Sequence, residues 1–332
     1  MFNLHKDHRS LVSISFVVFG VLSLFIAVLP AAQMQEVKPL PNQPELTEAE
    51  LSGLHTYVSE GCVACHTQQV RNIEMDRMWG DRPSIPSDYF YSKKRLDIWR
   101  QSPSLLGSER TGPDLTNVGV RQPSMQWHLL HLYNPRTVVD ESIMPAYPWL
   151  FREVSSPGEN DLLVPVPPEF LKSGNTKIIV TKEALDLIAY LQTLKQTPLP
   201  GSSRVDFIPA IKEKEAIQSE EKSLLPDGVQ LYMQTCAACH QTNGLGLAGA
   251  FPPLAGSKIV NDKNPELLIQ IILKGYDARP EYAVMAPFAD QLTDEEIAAI
   301  ANHERTSWGN NAPKITAEEV EKIRSYTLTL NQ

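Results

Sequence analysis

Hydrophobic residues fall into one long uninterrupted run near the N-terminus and into shorter, periodic runs further along the chain. The long run, Leu11 to Ala32, is 22 residues without a charge, and at about 1.5 Å per residue a helix of this length crosses a bilayer. Residues 33–46 contain three prolines, which suits a stiff, extended spacer. We therefore predict a short segment at residues 1–10, a transmembrane helix at residues 11–32 and a spacer after it.

The charges that flank this run indicate its orientation. Lys6 and Arg9 precede it, and Glu36 is the first charged residue after it. Because Lys and Arg favour the cytoplasmic side, we expect a single pass through the inner (plasma) membrane, with the rest of the chain on the periplasmic, extracytoplasmic side. The alternative is a cleaved signal peptide, but its apolar core would be about 7–15 residues and Pro30-Ala31-Ala32 is a poor cleavage site. We therefore favour a retained anchor.

Capping signals predict several helices beyond the spacer. Thr47 followed by Glu50 has the spacing of a capping box, and the helix that it opens runs to about Ser59. Apolar residues at helical spacing after Thr181 predict another helix. Further helix starts are predicted at Asn264-Pro265, with an end at Gly275, at Thr293 with Glu296, and at Thr316 with Glu319.

These elements divide the chain into two units with the same plan. Each unit has a helix, a cysteine pair, loops, a proline-rich turn and a closing helix. The first unit is residues 47–195, the second is residues 224–332, and the proline-rich and charged residues 196–223 are predicted to be a linker. The first unit is expanded by an insertion at residues 151–180, which ends in a β-prone run. The predicted fold class is mainly α: a transmembrane helix followed by two helical domains with long loops.

Composition is that of a globular protein and narrows the classes of partner. Hydrophobic residues make up 42% of the chain and charged residues 21%, which is enough apolar material for packed cores. The net charge of −9 argues against a nucleic-acid partner. The four cysteines form two closely spaced pairs, whereas a disulfide framework would scatter them. Cysteine usage therefore favours cofactor chemistry.

Each cysteine pair is followed at once by a histidine, in the strings Cys62-Val-Ala-Cys65-His66 and Cys236-Ala-Ala-Cys239-His240. Two cysteines at this spacing add to the two vinyl groups of one haem, and the adjacent histidine becomes the proximal ligand of the iron. A zinc site would need four converging ligands, and a redox dithiol would need a βαβ setting; neither pattern surrounds these strings. We therefore predict two covalently bound haem c groups.

A methionine in each unit is the candidate for the sixth iron ligand. Downstream of His240 the chain has one methionine, Met285, and in the first unit we favour Met144. Both are followed closely by a proline, which stiffens the loop and removes a backbone donor beside the iron. A thioether ligand closes the iron to oxygen and peroxide, which favours electron transfer over catalysis. The competing candidates are Met75, Met78 and Met125 in the first unit and His303 in the second.

Proline-containing strings after each cysteine pair predict partners for the proximal histidines. The strings are Thr-Gly-Pro-Asp-Leu at residues 111–115 and Phe-Pro-Pro-Leu at residues 251–254. A carbonyl beside a rigid proline can accept the Nδ1–H of the histidine, which orients the ring and strengthens it as a ligand. Two further histidines, His128 and His131, are expected to be structural groups on a helix face.

Four strings follow one another in the first 195 residues: Gly61–Arg71, Gly107–Leu115, Trp127–Arg136 and Ser142–Leu150. Through these strings this part of the chain resembles the CcoO/FixO subunit of cbb-type haem–copper cytochrome c oxidases. In that family the N-terminal helix is retained and packs against the catalytic subunit. The resemblance implies the same position for this chain, with haem c ligands that match His66 and Met144.

The chain departs from that family in two respects. The family usually has Trp-Gly-Ser where this chain has Leu106-Gly107-Ser108, and it loosely suggests a calcium ion near Ser108. The family subunit generally carries one haem, whereas this chain continues into a second unit. That unit resembles the class I cytochrome c modules of oxidase and dehydrogenase subunits, through Cys236 to His240, Phe251 to Ser257, Met285 and Leu292 to Ile297.

These features predict a dihaem electron-transfer subunit that is not an enzyme by itself. The implied partners are the catalytic subunit of a haem–copper oxidase, the membrane, and another cytochrome or a quinol-oxidising complex as donor. Electrons would enter at the haem on His240 and leave from the haem on His66. One alternative is the cytochrome subunit of a dehydrogenase or nitric oxide reductase, which differs only in its partner. Another is a dihaem peroxidase, which Met144 and Met285 disfavour because peroxide must reach an iron.

Overall fold

The computed structural model describes most of the chain, namely residues 7–34, 36–91, 105–107, 109–172, 176–200, 205–208, 225–279 and 281–329. The protein is 46% helix and 5% strand, which confirms the predicted fold class. Ser108, where the family resemblance suggests calcium, lies outside the described residues, as does most of the predicted linker.

The regular elements follow one another in chain order. The α-helices are α1 His8–Ser23, α2 Leu29–Met34, α3 Glu48–Ser59, α4 Val118–Arg121, α5 Met125–Tyr133, α6 Lys182–Thr193, α7 Gly228–Thr235, α8 Ala237–His240, α9 Glu266–Lys274, α10 Asp294–Thr306 and α11 Ala317–Thr329. The strands are β1 Phe151–Val154, β2 Leu163–Val164 and β3 Lys177–Val180. Short 3₁₀ turns cover Cys62–Ala64, Glu74–Met78, Pro86–Tyr89, Pro135–Thr137, Pro148–Leu150 and Pro168–Phe170.

The N-terminal apolar run is helical, as predicted, and is long and apolar enough to cross a membrane. A π-helical segment, Leu24–Val28, joins α1 to α2. Pro30 explains this irregularity, because a proline ring clashes with the carbonyl four residues earlier in a regular helix. The backbone N–H of Leu29 bonds to the carbonyl of Leu24, five residues back, and this widens the helix just before the proline. The described apolar side chains of this helix are exposed, as lipid contact requires.

The predicted helix caps are confirmed. Thr47 and Glu50 form both hydrogen bonds of a capping box, at 2.7 and 3.3 Å, at the start of α3. The same reciprocal pair opens α10 and α11. Helix α9 ends at Gly275, whose φ of 75° lies in the left-handed region that favours glycine. These helix boundaries are therefore local properties of the sequence.

The insertion at residues 151–180 forms a three-stranded antiparallel sheet with strand order β1-β3-β2. Phe151 lies opposite Val180, and Leu163 lies opposite Ile179. Ile178 is buried and belongs to the core of the first unit, so the central strand contributes to that core. Helix α5 carries His128 and His131, which were expected on a helix face. Its apolar face is buried in the same core.

Each unit is closed by a pair of helices that cross at a glycine. A Cβ atom on Gly53 of α3 would lie 1.9 Å from the backbone oxygen of Asp186 in α6. A Cβ atom on Gly228 of α7 would lie 2.2 Å from the backbone oxygen of Ala299 in α10. Only glycine permits backbones to approach this closely. The repeated contact supports the prediction that the two units share one plan.

The two units also pack against each other. The core of the first unit includes two fully buried residues of the second, Ala250 and Phe251. The side chain of Gln241 donates to the carbonyl of Val138 at 3.4 Å across the same contact. A separate core in the second unit is formed largely by α9, α10 and α11. The contact therefore joins the loop after the second cysteine pair to the first unit.

Candidate haem-binding sites

Both cysteine pairs lie on the same kind of backbone turn. The N–H of His66 bonds to the carbonyl of Cys62 at 3.0 Å, and the N–H of His240 bonds to the carbonyl of Cys236 at 3.0 Å. In each case one turn of chain carries the two thiols and the imidazole. The four cysteines are free, so all four sulfur atoms are available for thioether bonds.

The two histidines that are predicted to be proximal ligands have the carbonyl partners that the sequence predicted. Nδ1–H of His66 donates to the carbonyl of Pro113 at 2.7 Å, and Nδ1–H of His240 donates to the carbonyl of Pro252 at 2.9 Å. Burial lowers the pKa of both imidazoles, which favours the neutral ring that a metal requires. With Nδ1 engaged, Nε2 is the nitrogen left to bind iron.

Two glycines make room for the His66 turn. A Cβ atom on Gly112 would lie 2.3 Å from Cε1 of the His66 ring. A Cβ atom on Gly107 would lie 2.5 Å from the carbonyl oxygen of His66, and Gly107 has a φ of 77°. Glycine is therefore required at position 107 for steric reasons, although the preceding residue, Leu106, departs from the family pattern.

The surroundings of the cysteines also bear on the kind of cofactor. Burial raises the pKa of Cys62 to about 12 and that of Cys239 to about 12. Among the described residues there is no cluster of three or more His, Cys, Asp or Glu side chains that could hold a metal ion. The residues at both strings therefore fit haem c, with Cys62, Cys65, Cys236 and Cys239 for attachment and His66 and His240 as proximal ligands.

Exposure separates the methionines that compete in the first unit. Met75 is 72% exposed, and Met78 and Met125 are each 43% exposed. Met144 is partly buried and packs against the core that also contacts Cys62. Its loop is held at the carbonyl of Met144, which accepts a hydrogen bond from Arg136 at 3.1 Å. Met144 is thus less exposed than the three competing methionines and packs against the same core as Cys62.

Met285 lies in a short two-residue bridge in the second unit. Its N–H and carbonyl bond to the carbonyl and N–H of Tyr276 at 2.9 and 3.1 Å, and its side chain packs against the core of the second unit. The competing His303 packs between the rings of Tyr232 and Trp308, with centroid distances of 5.1 and 5.0 Å. His303 therefore has a packing role in the described structure.

His131 is the residue that sequence reasoning undervalued. Nε2 of His131 lies 3.1 Å from the sulfur of Met144, and burial lowers its pKa to about 3, with the nearby rings of His128 and His66 adding to the effect. His128 behaves as predicted, because its Nε2 donates to the carbonyl of Gln122 at 2.8 Å. The available signal was the four-residue spacing of Trp127 and His131, which puts them on one helix face.

A buried charge network supports the loop after His66. The carboxylate of Asp76 is fully buried and accepts hydrogen bonds from Arg71 at 2.8 Å and Arg110 at 2.6 Å. Asp114 is also buried, accepting from the hydroxyl of Thr67 at 2.5 Å. Burial by itself would raise the pKa of Asp76. The hydrogen bonds from both arginines outweigh burial and bring this pKa well below its ordinary value. This network ties the residues after the first cysteine pair to the string at residues 111–115.

Comparison with known proteins finds one family match in each half of the chain. The family of the mono-haem subunit FixO of cytochrome c oxidase matches residues 3–161. The family of subunit III of cbb3-type cytochrome c oxidase matches residues 223–303. The first match includes the N-terminal apolar helix, and the second includes the second cysteine pair.

Relatives come from two kinds of protein. Cytochrome c-552 of Thermus thermophilus is 46% identical over 121 residues, covering 32% of this chain and 90% of that protein. The cytochrome c subunit of a quinone alcohol dehydrogenase from Gluconacetobacter polyoxogenes is 35% identical over 151 residues, covering 43% of this chain and 31% of that subunit. The fructose dehydrogenase cytochrome subunit of Gluconobacter japonicus is 35% identical over 107 residues, covering 30% of this chain and 22% of that subunit.

Proposed function

This chain belongs to the c-type cytochromes, joining a FixO-type unit to a second cytochrome unit, and from that membership we propose a specific role for it. It is a membrane-anchored subunit that carries two covalent haem c groups and delivers electrons to the catalytic subunit of a cbb-type haem–copper oxidase. The observation that carries the proposal is the duplicated site, in which each Cys-x-x-Cys-His turn has its histidine Nδ1 bonded to a proline carbonyl.

The bound haem would supply a one-electron couple, and the chain supplies everything that positions it. Cys62 and Cys65 would attach the first group and Cys236 and Cys239 the second, and His66 and His240 would each offer Nε2 as a ligand. The carbonyls of Pro113 and Pro252 hold those histidines in orientation. Met144 and Met285 would each supply a thioether sulfur as the second protein ligand, which would exclude oxygen and peroxide.

The N-terminal helix is the proposed anchor. The FixO family match begins at residue 3 and therefore includes this helix, which supports its retention in the mature protein. Lys6 and Arg9 lie at its N-terminal end, so the N-terminus is cytoplasmic and both cytochrome units are on the periplasmic side. The units of residues 47–195 and 224–332 then stand on the spacer of residues 33–46.

An exposed apolar surface supports docking of the first unit to a membrane-embedded partner. Ile143, next to Met144, is 74% exposed, and Trp149 is 59% exposed. Exposed large apolar side chains beside a functional site are typical of protein–protein contacts. We place the exit of electrons on this surface, and their entry at the unit of His240 from another cytochrome or a quinol-oxidising complex.

A second candidate has its own support. The quinone alcohol dehydrogenase and fructose dehydrogenase relatives are cytochrome subunits of dehydrogenases. In that case the haem chemistry is unchanged and the catalytic partner is a dehydrogenase. The FixO match over residues 3–161 favours the oxidase, because it covers the anchor and the first unit together.

Haem content tests the chemistry of the proposal. We expect the purified chain to carry two covalent haems, measured by intact mass and by haem absorbance per chain. Cys65→Ala and Cys239→Ala should each halve that value, whereas Met125→Ala, a change on an exposed position of α5, should leave it at two. A wild-type chain with one covalent haem or none would contradict the proposal.

The identity of the partner needs a separate measurement. The tagged full-length chain, isolated from membranes in mild detergent, should bring with it a haem–copper oxidase catalytic subunit. Ile143→Asp should weaken this association by about tenfold, because it puts a charge into the proposed apolar contact. The matched control is Val229→Asp, at an equally apolar, exposed position on the second unit. Recovery of a dehydrogenase subunit instead would establish the second candidate.

A further inference from the structure

A tryptophan of the first unit is bonded to the cysteine loop of the second. Nε1–H of Trp127, on α5, donates to the carbonyl of Ala238 at 3.0 Å. Ala238 lies between the two cysteines of the second string, and Trp127 is only 9% exposed. The bond is partly buried, and Ala238 is half-buried, so the loss of this bond would leave a half-buried carbonyl without this partner. Trp127 therefore fastens the cofactor loop of the second unit to α5.

His131 continues this contact toward the candidate site of the first unit. The rings of Trp127 and His131 are stacked, with centroids 4.4 Å apart and planes 14° apart. Nε2 of His131 lies 3.1 Å from the sulfur of Met144. A thioether has no hydrogen to give, so the imidazole N–H must be the donor. Nδ1 of His131 is buried and has no hydrogen-bond partner among the described residues. Stacking on Trp127 and the sulfur contact thus hold the ring.

We infer that Trp127 and His131 are positioning residues through which docking of the second unit sets the donor strength of Met144. The N–H of His131 withdraws electron density from the sulfur and so weakens it as a donor to oxidised iron. Trp127 is hydrogen-bonded to Ala238, and its ring holds the imidazole of His131 in the orientation in which Nε2 contacts the sulfur of Met144. The inference rests on the proposed function, because it takes Met144 to be the sixth ligand.

Covalent connection alone does not account for this arrangement. A tether raises the effective concentration of one unit near the other but does not choose a contact between them. Here the contact runs from Ala238 through Trp127 and His131 to Met144, and every step is a hydrogen bond or a ring stack of ordinary distance. If Trp127 were only a packing residue, its replacement would change stability without changing the potential of the first unit.

Potentiometric titration of the full-length chain tests the inference. The variant with both Cys62→Ala and Cys65→Ala, which keeps no thiol for the first haem, assigns the two midpoint potentials. His131→Leu should make the first unit harder to reduce by about fivefold in the reduction equilibrium, the value of one ordinary hydrogen bond. Trp127→Leu should shift the same potential in the same direction, and Trp127→Phe, which keeps a ring without the N–H, should give a smaller shift. The potential of the second unit should not change in His131→Leu, and neither potential should change in Met125→Ala.

The double variant decides whether the two residues act together. If they do, Trp127→Leu combined with His131→Leu shifts the potential no further than the larger single change. Additive shifts, or an unchanged first-unit potential in both Trp127 variants with two haems attached, would overturn the inference. A wild-type chain that lacks the first covalent haem would instead overturn the proposed function, so the two failures are distinguishable. If Trp127→Leu does not accumulate, Trp127→Phe is judged by the same criterion.

Discussion

The two cytochrome units hold their proximal histidines in the same way across very different lengths of chain. In the first unit the histidine and its carbonyl partner are 47 residues apart, and in the second they are 12 residues apart. The hydrogen bonds are nevertheless 2.7 and 2.9 Å long. The hydrogen bond that orients the histidine is therefore independent of the length of chain between the histidine and the proline.

What supports those contacts differs between the units. In the first, Asp76 pairs with Arg71 and Arg110 inside the protein. In the second, Asn310 donates to the carbonyls of Leu254 and Glu304 at 3.0 and 2.8 Å, so neutral side chain–backbone bonds replace ion pairs. The first unit should accordingly respond more strongly to acid and to loss of charge, while the shared helix crossing should be equally sensitive in both.

The largest effect is expected where the two units are alike. Gly53→Ala and Gly228→Ala each place a Cβ atom within 2.2 Å of a backbone oxygen, and neither backbone can move without separating its helices. We expect each change to cost about 3 kcal/mol or more in its own unit. Chemical denaturation and covalent haem yield measure this. The control is Gly158→Ala, whose Cβ would have its nearest neighbour at 3.5 Å. Equal stability of either helix variant and wild type would show that the crossing is not what closes that unit.

Loss of Asp76 should lower the stability of the first unit and leave the stability of the second unit unchanged. Asp76→Ala removes the partner of two arginines, and we expect a loss of about 2–3 kcal/mol. Because the folded pKa of Asp76 is lowered, its contribution is present above the unfolded value of 3.8 and is lost as pH falls below it. Denaturant titrations at pH 7 and pH 3 should therefore differ less in Asp76→Ala than in wild type. Glu141→Ala, at an exposed position, is the control. If Asp76→Ala had the same pH dependence of stability as wild type, Asp76 would not be the source of that dependence.

A buried carboxyl in the second unit predicts the opposite response to pH. Glu304 is 4% exposed, and burial raises its pKa to about 8 from an ordinary value of 4.5. A raised folded pKa means that stability is full below 4.5 and falls as pH rises toward 8. At pH 9, Glu304→Gln should therefore be more stable than wild type by about 1–2 kcal/mol, since it removes a buried charge. Glu295→Gln, an exposed change on the same helix, should have no such effect. A gain that is the same at pH 5 and pH 9 would contradict the titration of Glu304.

The smallest effect is expected at the residue before each carbonyl-bearing proline. This residue is Gly112 in the first unit and Phe251 in the second. Gly112→Ala should push the His66 ring, which lies 2.3 Å from the added Cβ position, at a cost of about 1 kcal/mol. In Gly112→Ala the midpoint potential of the first unit should shift and the midpoint potential of the second unit should stay constant. In the control Gly158→Ala both midpoint potentials should stay constant. A shift in both units would mean that the sites are not independently built.

The sequence by itself determined the features that depend on neighbouring residues. The apolar run at residues 11–32, the capping boxes and the two Cys-x-x-Cys-His strings were readable because each is completed within one turn or one helix. The hydrogen-bond partners of His66 and His240 could also be predicted from the sequence, because a proline marks each accepting carbonyl. Attachment of haem at these strings, and ligation by Met144 and Met285, stay predictions until they are measured.

Only the tertiary structure decided the features that depend on packing between distant parts of the chain. The sequence favoured Met144 through the proline that follows it and through the family resemblance. The exposure of Met75 and Met78 is visible only in the fold, because burial is set by elements brought together from far along the chain. The sheet at residues 151–180 needed three short strands to pair, and short strands carry little signal of their own. The contact of Trp127 with Ala238 spans 111 residues and joins two units, so no local pattern contains it.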